Sequence, residues 1–218
     1  MQRRVHDIAA VTPASVRVTF NGARVECKNF LQYTKMYQTV SLAGSIAHER
    51  FDDNWEYAIC LADKGQFGHV SMVNGIFTAL GGKHVDFIMN QVVKAIQKAA
   101  LSSRKMEVKP GAIREQLFLF LRCEIPNPIF DSQTKDCLMT PSSKFETGCV
   151  VSQKFIKQLI KFGVVNVACS IAEATARKKI SKLDGTKSST ITGIPKLVDA
   201  HYAGGQHSRK AILLIVEG

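Results

Sequence analysis

Three polar side chains stand together where chemistry with an anion would need them: Gln133, Thr134 and Lys135, within "NPIFDSQTKD" (127–136). A lysine ammonium is a point charge on a flexible stem, suited to an anion. The glutamine amide donates beside it, and the threonine hydroxyl helps to shape a turn. Pro126 and Pro128 fix φ on the approach and reduce the loop's freedom. The same residues also compose an ordinary solvated turn, and the loop alone does not decide between the two. Glu217, at the carboxyl end of the apolar run "AILLIV", is a hard oxygen ligand of the kind Mg²⁺ takes, yet one carboxylate makes no site. "GGKHV" (81–85) lacks the first glycine and the Ser/Thr of a G-x-x-x-x-G-K-[ST] phosphate loop. Gly81 and Gly82 read instead as a tight helix entry, and His84 and Asp86 as packing or capping groups. His69, His201 and His207 are scattered and read as structural or solvated.

Positioning the polar triplet falls to "LFLFLRC" (117–123), a fully apolar run of the kind found in a central strand. Before it, "GGKHVDF" opens a helix in which Val85, Ile88, Val92 and Ile96 recur at steps of three and four. "HVSMVNGIF" (69–77) has strand character, so residues 69–123 are expected to form strand, crossover helix, strand. The first sixty residues read as short strands with turns. "SVRVTF" alternates, "NG" (21–22) signals a hairpin, "ARVEC" returns, and "WEYAICLA" (55–62) continues the pattern. After the triplet, Ser152 is a good N-cap for "QKFIKQLIKF", whose apolar face opposes Lys154, Lys157 and Lys161. Gly163 breaks that helix, and 164–183 forms a longer one that grows basic towards its end, where cations suit the helix dipole. Residues 184–210 read as a Gly-, Ser- and Thr-rich linker, and "AILLIVEG" as an apolar strand. The fold class is α+β.

Charge is the main compositional signal. The formal net charge is +11, from 29 basic and 18 acidic residues. Between Lys154 and Lys187 eight Lys or Arg face only Glu173 and Asp184. Such a field favours a polyanion such as nucleic acid, although a well-solvated helix face has the same composition. No apolar run approaches bilayer-spanning length, so no membrane is implicated, and the N-terminus lacks the sustained apolar region of a secretory signal. The six cysteines, at 27, 60, 123, 137, 149 and 169, include no C-x-x-C pair, and a reducing compartment is the simplest reading.

Taken in order, these stretches resemble the type IIA DNA topoisomerases in their eukaryotic and viral wording. "NPIFDSQTKD" resembles the family's glutamine–threonine–lysine loop. "RRVHDIAA", "VTFNGARVECKNFLQY" and "GQFGHVSMVNGIFTALGGKHVDF" resemble its transducer domain, while "GIPKLVDAHYAGG" and "LLIVEG" resemble the approach to its Toprim domain. The resemblance implies a transducer over residues 1–160 with a β-α-β crossover, left-handed in this family against the usual rule. It further implies a basic helix and linker start over 161–189, then a linker and the first strand of a truncated Toprim domain over 190–218. By the same resemblance Gln133, Thr134 and Lys135 would contact the ATP γ-phosphate held by a separate ATP-binding domain, with Lys135 also assisting hydrolysis. Glu217 would be a Mg²⁺ ligand or acid–base group once Toprim is complete. Arg104 and Lys105, matching a family lysine cluster, and Lys178, Lys179 and Lys182 are candidates for DNA phosphate. The family commonly has a lysine before the glycine pair, where this chain has Leu80, so Lys83 receives no role. The implied parent is an ATP-dependent homodimer that passes one DNA duplex through another, nuclear if cellular or in host cytoplasm if viral. Two rivals stay open: a non-enzymatic nucleic-acid-binding module of the same fold, and another GHKL-type ATPase such as a mismatch-repair clamp. Neither binding module nor clamp needs the "LLIVEG" ending.

Overall fold

A computed structural model describes residues 2–13, 15–41, 45–62, 65–145, 148–183, 202, 206–210 and 212; the side chains of 38–41 and 176–183 lie outside that description. The chain divides into Met1–Cys169 and Ser170–Gly218. Within the first unit the elements run α1 (Gln2–Val11), β1 (Thr19–Phe20), β2 (Ala23–Arg24), α2 (Phe30–Ser41), β3 (Ala47–Arg50) and β4 (Trp55–Leu61). Then come β5 (Gly68–Val73), β6 (Ile76–Phe77), β7 (Gly81–Gly82), α3 (Lys83–Arg104), α4 (Pro110–Arg114), β8 (Leu117–Cys123), β9 (Cys137–Leu138) and α5 (Gln153–Lys161). The helix α6 (Val164–Leu183) spans the division.

A five-stranded sheet has the order β3-β4-β8-β5-β6, and β8 is its middle strand. It pairs antiparallel with β4 and parallel with β5, so β5–α3–β8 is the expected strand–helix–strand unit. Both faces of the sheet are covered, which is why "LFLFLRC" is apolar without alternation. Ala58, Cys60, Val70, Met72 and Phe120 pack with Ala9, Ala10, Phe30 and Tyr33 of α1 and α2. On the neighbouring positions Tyr57 meets Phe155 of α5 edge to face, with ring centroids 5.0 Å apart, and Trp55 meets Phe87 of α3 at 5.7 Å.

The strand reading of the first sixty residues is corrected here: α1 and α2 are helices. In α2 the aromatic residues Phe30, Tyr33 and Tyr37 recur at steps of three and four, and this spacing overrides their β propensity. Asn29 Oδ1 accepts from the Gln32 N–H at 2.8 Å and Gln32 Oε1 accepts from the Lys28 N–H at 2.8 Å, a variant of the capping box. Tyr33 donates to the buried Asp7 carboxylate at 2.7 Å, tying α2 to α1. The Asn21–Gly22 hairpin forms as expected, with φ of 50° and 81°. A second Asn-Gly turn divides 69–77: Asn74 and Gly75 have φ of 50° and 71° and join β5 to β6. The Asn74 amide clamps Ile125, donating to its carbonyl at 2.9 Å and accepting from its N–H at 2.8 Å. This clamp holds the exit of β8. Ser152 caps α5 through the Phe155 N–H, and Gly163, φ 85°, ends it, both as expected.

Near the same end of the sheet, where β4 begins opposite the last residues of β8, a nearly buried Glu56 is held by His48 Nε2 at 2.8 Å and Arg122 Nε at 2.7 Å. Burial pushes the Glu56 carboxyl up, but the hydrogen bonds from His48 and Arg122 and the Arg122 charge outweigh it, and the net shift is downward. Because the folded value lies below the ordinary 4.5, the carboxylate stabilises the fold fully above that pH, and the contribution fades as pH falls through the folded value. Glu56→Gln is expected to cost about 3 kcal/mol at neutral pH, since it strands the Arg122 cation. It should also flatten the loss of stability below about pH 4.5 in urea unfolding series. An unchanged acid limb would show that another carboxylate governs it.

All six cysteines are free, and burial raises the thiols of Cys60 and Cys149 to about 12. These thiols pack rather than react. Among the described residues no single helix is long and apolar enough to cross a membrane. The pair α5–α6, bent by 60° near Gly163, passes that test only together; Phe155, Leu159, Val164 and Ala168 from it lie in the core.

Candidate functional site

The polar triplet sits at the tip of a hairpin-like loop that leaves β8. Phe130 bridges Leu138, the Met139 N–H donates to the Ile129 carbonyl at 2.8 Å, and Thr140 Oγ1 accepts from the Ile129 N–H at 2.8 Å. The Asp131 carboxylate, itself exposed, accepts from the Cys137 N–H at 3.2 Å and so closes the loop across its base. At the tip, the Lys135 N–H donates to the Ser132 carbonyl at 3.1 Å, and the Ser132 and Thr134 hydroxyls lie 2.7 Å apart. Gln133 and Thr134 are exposed and Lys135 is half-buried. Among the described residues no carboxylate pairs with Lys135; its ammonium stands 6.0 Å from the Phe130 ring centroid.

Lys135 has φ 60°, in the left-handed region that a Cβ disfavours by roughly 1–2 kcal/mol. A glycine would adopt this backbone freely, so a lysine here is a residue held at a local cost. The result is a preformed turn that projects an amide, a hydroxyl and an unpaired ammonium. Such a turn can receive an anion.

What pins the loop is a close approach of two backbones. β9 pairs parallel with β7, Gly81 opposite Cys137 and Gly82 opposite Leu138, and the Leu80 N–H donates to the Asp136 carbonyl at 2.9 Å. Gly82 has φ 127° and ψ −161°, and a Cβ there would fall 2.3 Å from the Leu138 carbonyl oxygen and 2.5 Å from its nitrogen. It is also the N-cap of α3. The glycine pair thus serves helix entry, as expected, and additionally splices the loop to the helix. Sequence reading missed Asp131 and this splice; the Asp131–Ser132 pair was a visible turn signal, whereas the strand pairing of Gly82 with Leu138 links positions 56 apart.

Beside the splice lies a cleft of about 520 Å³ lined by His69, Lys83, Asp86, Arg114 and Leu138. Arg114 pairs with Asp86 at 2.8 Å and stacks over Phe67 at 4.5 Å. His84 is fully buried, its Nε2 3.2 Å from Thr78 Oγ1, and burial followed by the nearby His69 pushes it down to about 3. Burial and the Arg114 charge likewise lower His69, against an opposing pull from Asp86. Both imidazoles are packing groups, and Asp86 is an ion-pair partner of α4.

The remaining candidates are dispersed. Arg104 ends α3 and donates to Asn166 Oδ1 at 2.7 Å, and Lys105, φ 49°, is its exposed left-handed C-cap. Neither approaches the Gln-Thr-Lys turn along α3, which at 1.5 Å per residue is about 33 Å long. Lys178, Lys179 and Lys182 lie on α6, with side chains outside the described residues. Glu217, the Mg²⁺ candidate, and most of the expected linker and final strand are likewise outside them; Ser208–Lys210 form a short 3₁₀ turn. No group of three His, Cys, Asp or Glu among the described residues is placed to hold a metal ion.

Comparison with known proteins agrees with this architecture. A profile of the DNA gyrase B family matches residues 26–189. DNA topoisomerase 2 of Drosophila melanogaster is 38% identical over 225 residues, covering 100% of this chain and 15% of that protein. The crystal structure of the ATPase and transducer domains of DNA topoisomerase II from Balamuthia mandrillaris matches with a TM-score of 0.75 and 31% identity, over 81% of this chain and 44% of that one. The ATPase region of Saccharomyces cerevisiae topoisomerase II matches with a TM-score of 0.72 and 33% identity, over 79% and 43%. The chain spans about 15% of the length of the curated relatives it matches. With a family profile covering most of its residues and an α+β fold shared with those structures, the chain belongs to the DNA gyrase B family of type IIA topoisomerase sequences.

Proposed function

We propose that this chain is the transducer region of an ATP-dependent type II DNA topoisomerase and that its Gln133–Thr134–Lys135 turn senses the γ-phosphate of ATP bound on a neighbouring ATP-binding domain. One observation carries the reading: an unpaired ammonium on a left-handed backbone, spliced through Gly82 and Leu138 to the start of a long helix. ATP supplies the transferable phosphoryl group. Lys135 adds positive charge at its outer oxygens, and Gln133 donates from its amide. The contact exists only while the γ-phosphate does, so closure is stabilised before hydrolysis and released after it.

Coupling follows from connectivity. A displaced turn pulls on β9, β9 on β7, and β7 on the first residue of α3; α3 in turn is bonded through Arg104 to Asn166 near the start of α6. The parent acts as a homodimer on duplex DNA, in the nucleus or, for a viral source, in host cytoplasm. Lys105, Arg104 and the α6 lysines meet DNA phosphate without reading sequence, and Mg²⁺ with Glu217 belongs to the parent's strand cleavage. The names of the relatives support this reading, as does the paired ATPase and transducer organisation named for the Balamuthia structure. ATP hydrolysis by the full-length protein with Lys135→Ala tests it.

A further inference from the structure

A cationic surface lies on the exposed side of α3. Lys94 and Lys98 lie one turn apart on α3, about 40° round the axis at 3.6 residues per turn, and both are exposed. Val92, Val93, Ile96 and Ala100 occupy the buried side. Alongside, α5 exposes Lys154, Lys157 and Lys161. Between the helices runs a groove of about 490 Å³, walled by Lys94 and Lys98 on α3 and by Lys157 on α5, with Ala95, Ala99 and Ile156 between them. No carboxylate lines it, and no carboxylate of the described residues pairs with these three lysines.

The walls are fixed relative to one another. Gln91 Nε2 donates to the Cys149 carbonyl at 3.0 Å and Gln91 Oε1 accepts from the Val151 N–H at 3.1 Å, joining α3 to the lead-in of α5. Like charges on a preformed groove repel one another until an anion enters, so the arrangement favours a ligand with repeated negative charge. Lys94 and Lys98 are about 6 Å apart along the helix axis. That is close to two steps of one strand of a duplex, at about 3.4 Å each. The alanines leave the floor low enough for a backbone to approach both walls.

We propose that the α3–α5 groove binds the phosphate backbone of duplex DNA without sequence preference, through Lys94, Lys98 and Lys157. The choice of DNA as the polyanion rests on the topoisomerase reading; the charge arrangement does not. The test is titration of a fluorescent 30-base-pair duplex by the whole chain, without nucleotide, over a series of salt concentrations. Three variants are compared with the wild type: Lys94→Gln/Lys98→Gln/Lys157→Gln, the same three changed to Arg, and a control, Lys28→Gln/Lys35→Gln/Lys144→Gln, that removes three exposed charges elsewhere. The groove variant should bind about tenfold more weakly or worse at low salt, and the slope of log K against log salt should fall by about 3. The Arg variant and the control should stay close to the wild type. Equal loss in groove and control variants, no loss in the groove variant, no binding by the wild type, or tighter binding of duplex RNA would each overturn the proposal. Because nucleotide is absent, a negative result here leaves the Lys135 test standing, and an unchanged rate there leaves this one standing.

Discussion

Lys135→Ala in the full-length protein is expected to slow ATP hydrolysis on the order of a hundredfold while nucleotide still binds. A single preorganised donor aimed at developing charge contributes about 2.7–4 kcal/mol, a factor of 10²–10³ in rate. Lys135 meets the structural condition for that magnitude. Its turn is closed by the Ser132 carbonyl and the Asp131 carboxylate before any ligand arrives, so little ordering remains to be done on binding. Binding should survive under the proposed function, in which the neighbouring domain holds the nucleotide. Two further substitutions separate charge from backbone. Lys135→Gly relaxes the left-handed strain and removes the ammonium; it should be at least as stable as wild type and hydrolyse as poorly as the Ala variant. Lys135→Arg keeps the charge as a planar fork in place of a point, and should recover part of the rate. Steady-state hydrolysis with and without DNA, beside a nucleotide-binding titration, reads all three. A Lys135→Ala rate equal to wild type would reduce the loop to a turn and favour a passive binding module.

Gly82→Ala is the most damaging single methyl expected in the described fold. The added Cβ meets Leu138 backbone atoms at 2.3 and 2.5 Å, and backbone cannot rotate aside as a side chain does. Its φ of 127° with ψ −161° lies in a region essentially confined to glycine. Steric and conformational costs together come to about 3 kcal/mol or more. For a domain of this size that lowers Tm by roughly 6–12 °C. Gly81→Ala is the internal comparison. Gly81 also has positive φ, 74°, but its Cβ would meet the His69 ring at 3.0 Å, a side chain with room to shift. A loss of about 1–2 kcal/mol is expected there. In the full-length protein Gly82→Ala should also impair hydrolysis, because the Gln-Thr-Lys turn loses its anchor to α3. Equal Tm values for the two alanine variants would mean that β7 and β9 separate at little cost, and the proposed splice would carry no force.

Much of this chain could be read from local pattern. The period of Val85, Ile88, Val92 and Ile96 announced α3, the unbroken apolar run 117–123 announced a strand covered on both faces, and Ser152 and Gly163 marked the ends of α5. Each signal depends on neighbours within a turn or two, so it survives without knowledge of the fold. The residues of the Gln-Thr-Lys triplet were visible for the same reason, as consecutive polar groups after a strand. Where aromatic residues of high β propensity carried helical spacing, as in α2, local preference misled, and packing of Phe30 and Tyr33 against α1 and the sheet prevailed. What could not be read was anything that joins distant positions. The parallel pairing of Gly82 with Leu138, the Asn74 clamp on Ile125 and the closeness of Lys157 to Lys94 and Lys98 arise only when the sheet places chain segments 51 or more residues apart side by side. A lysine's type says that it is charged; whether it ends in a solvated face, a left-handed turn or a carboxylate-free groove depends on which backbone the rest of the chain packs beside it.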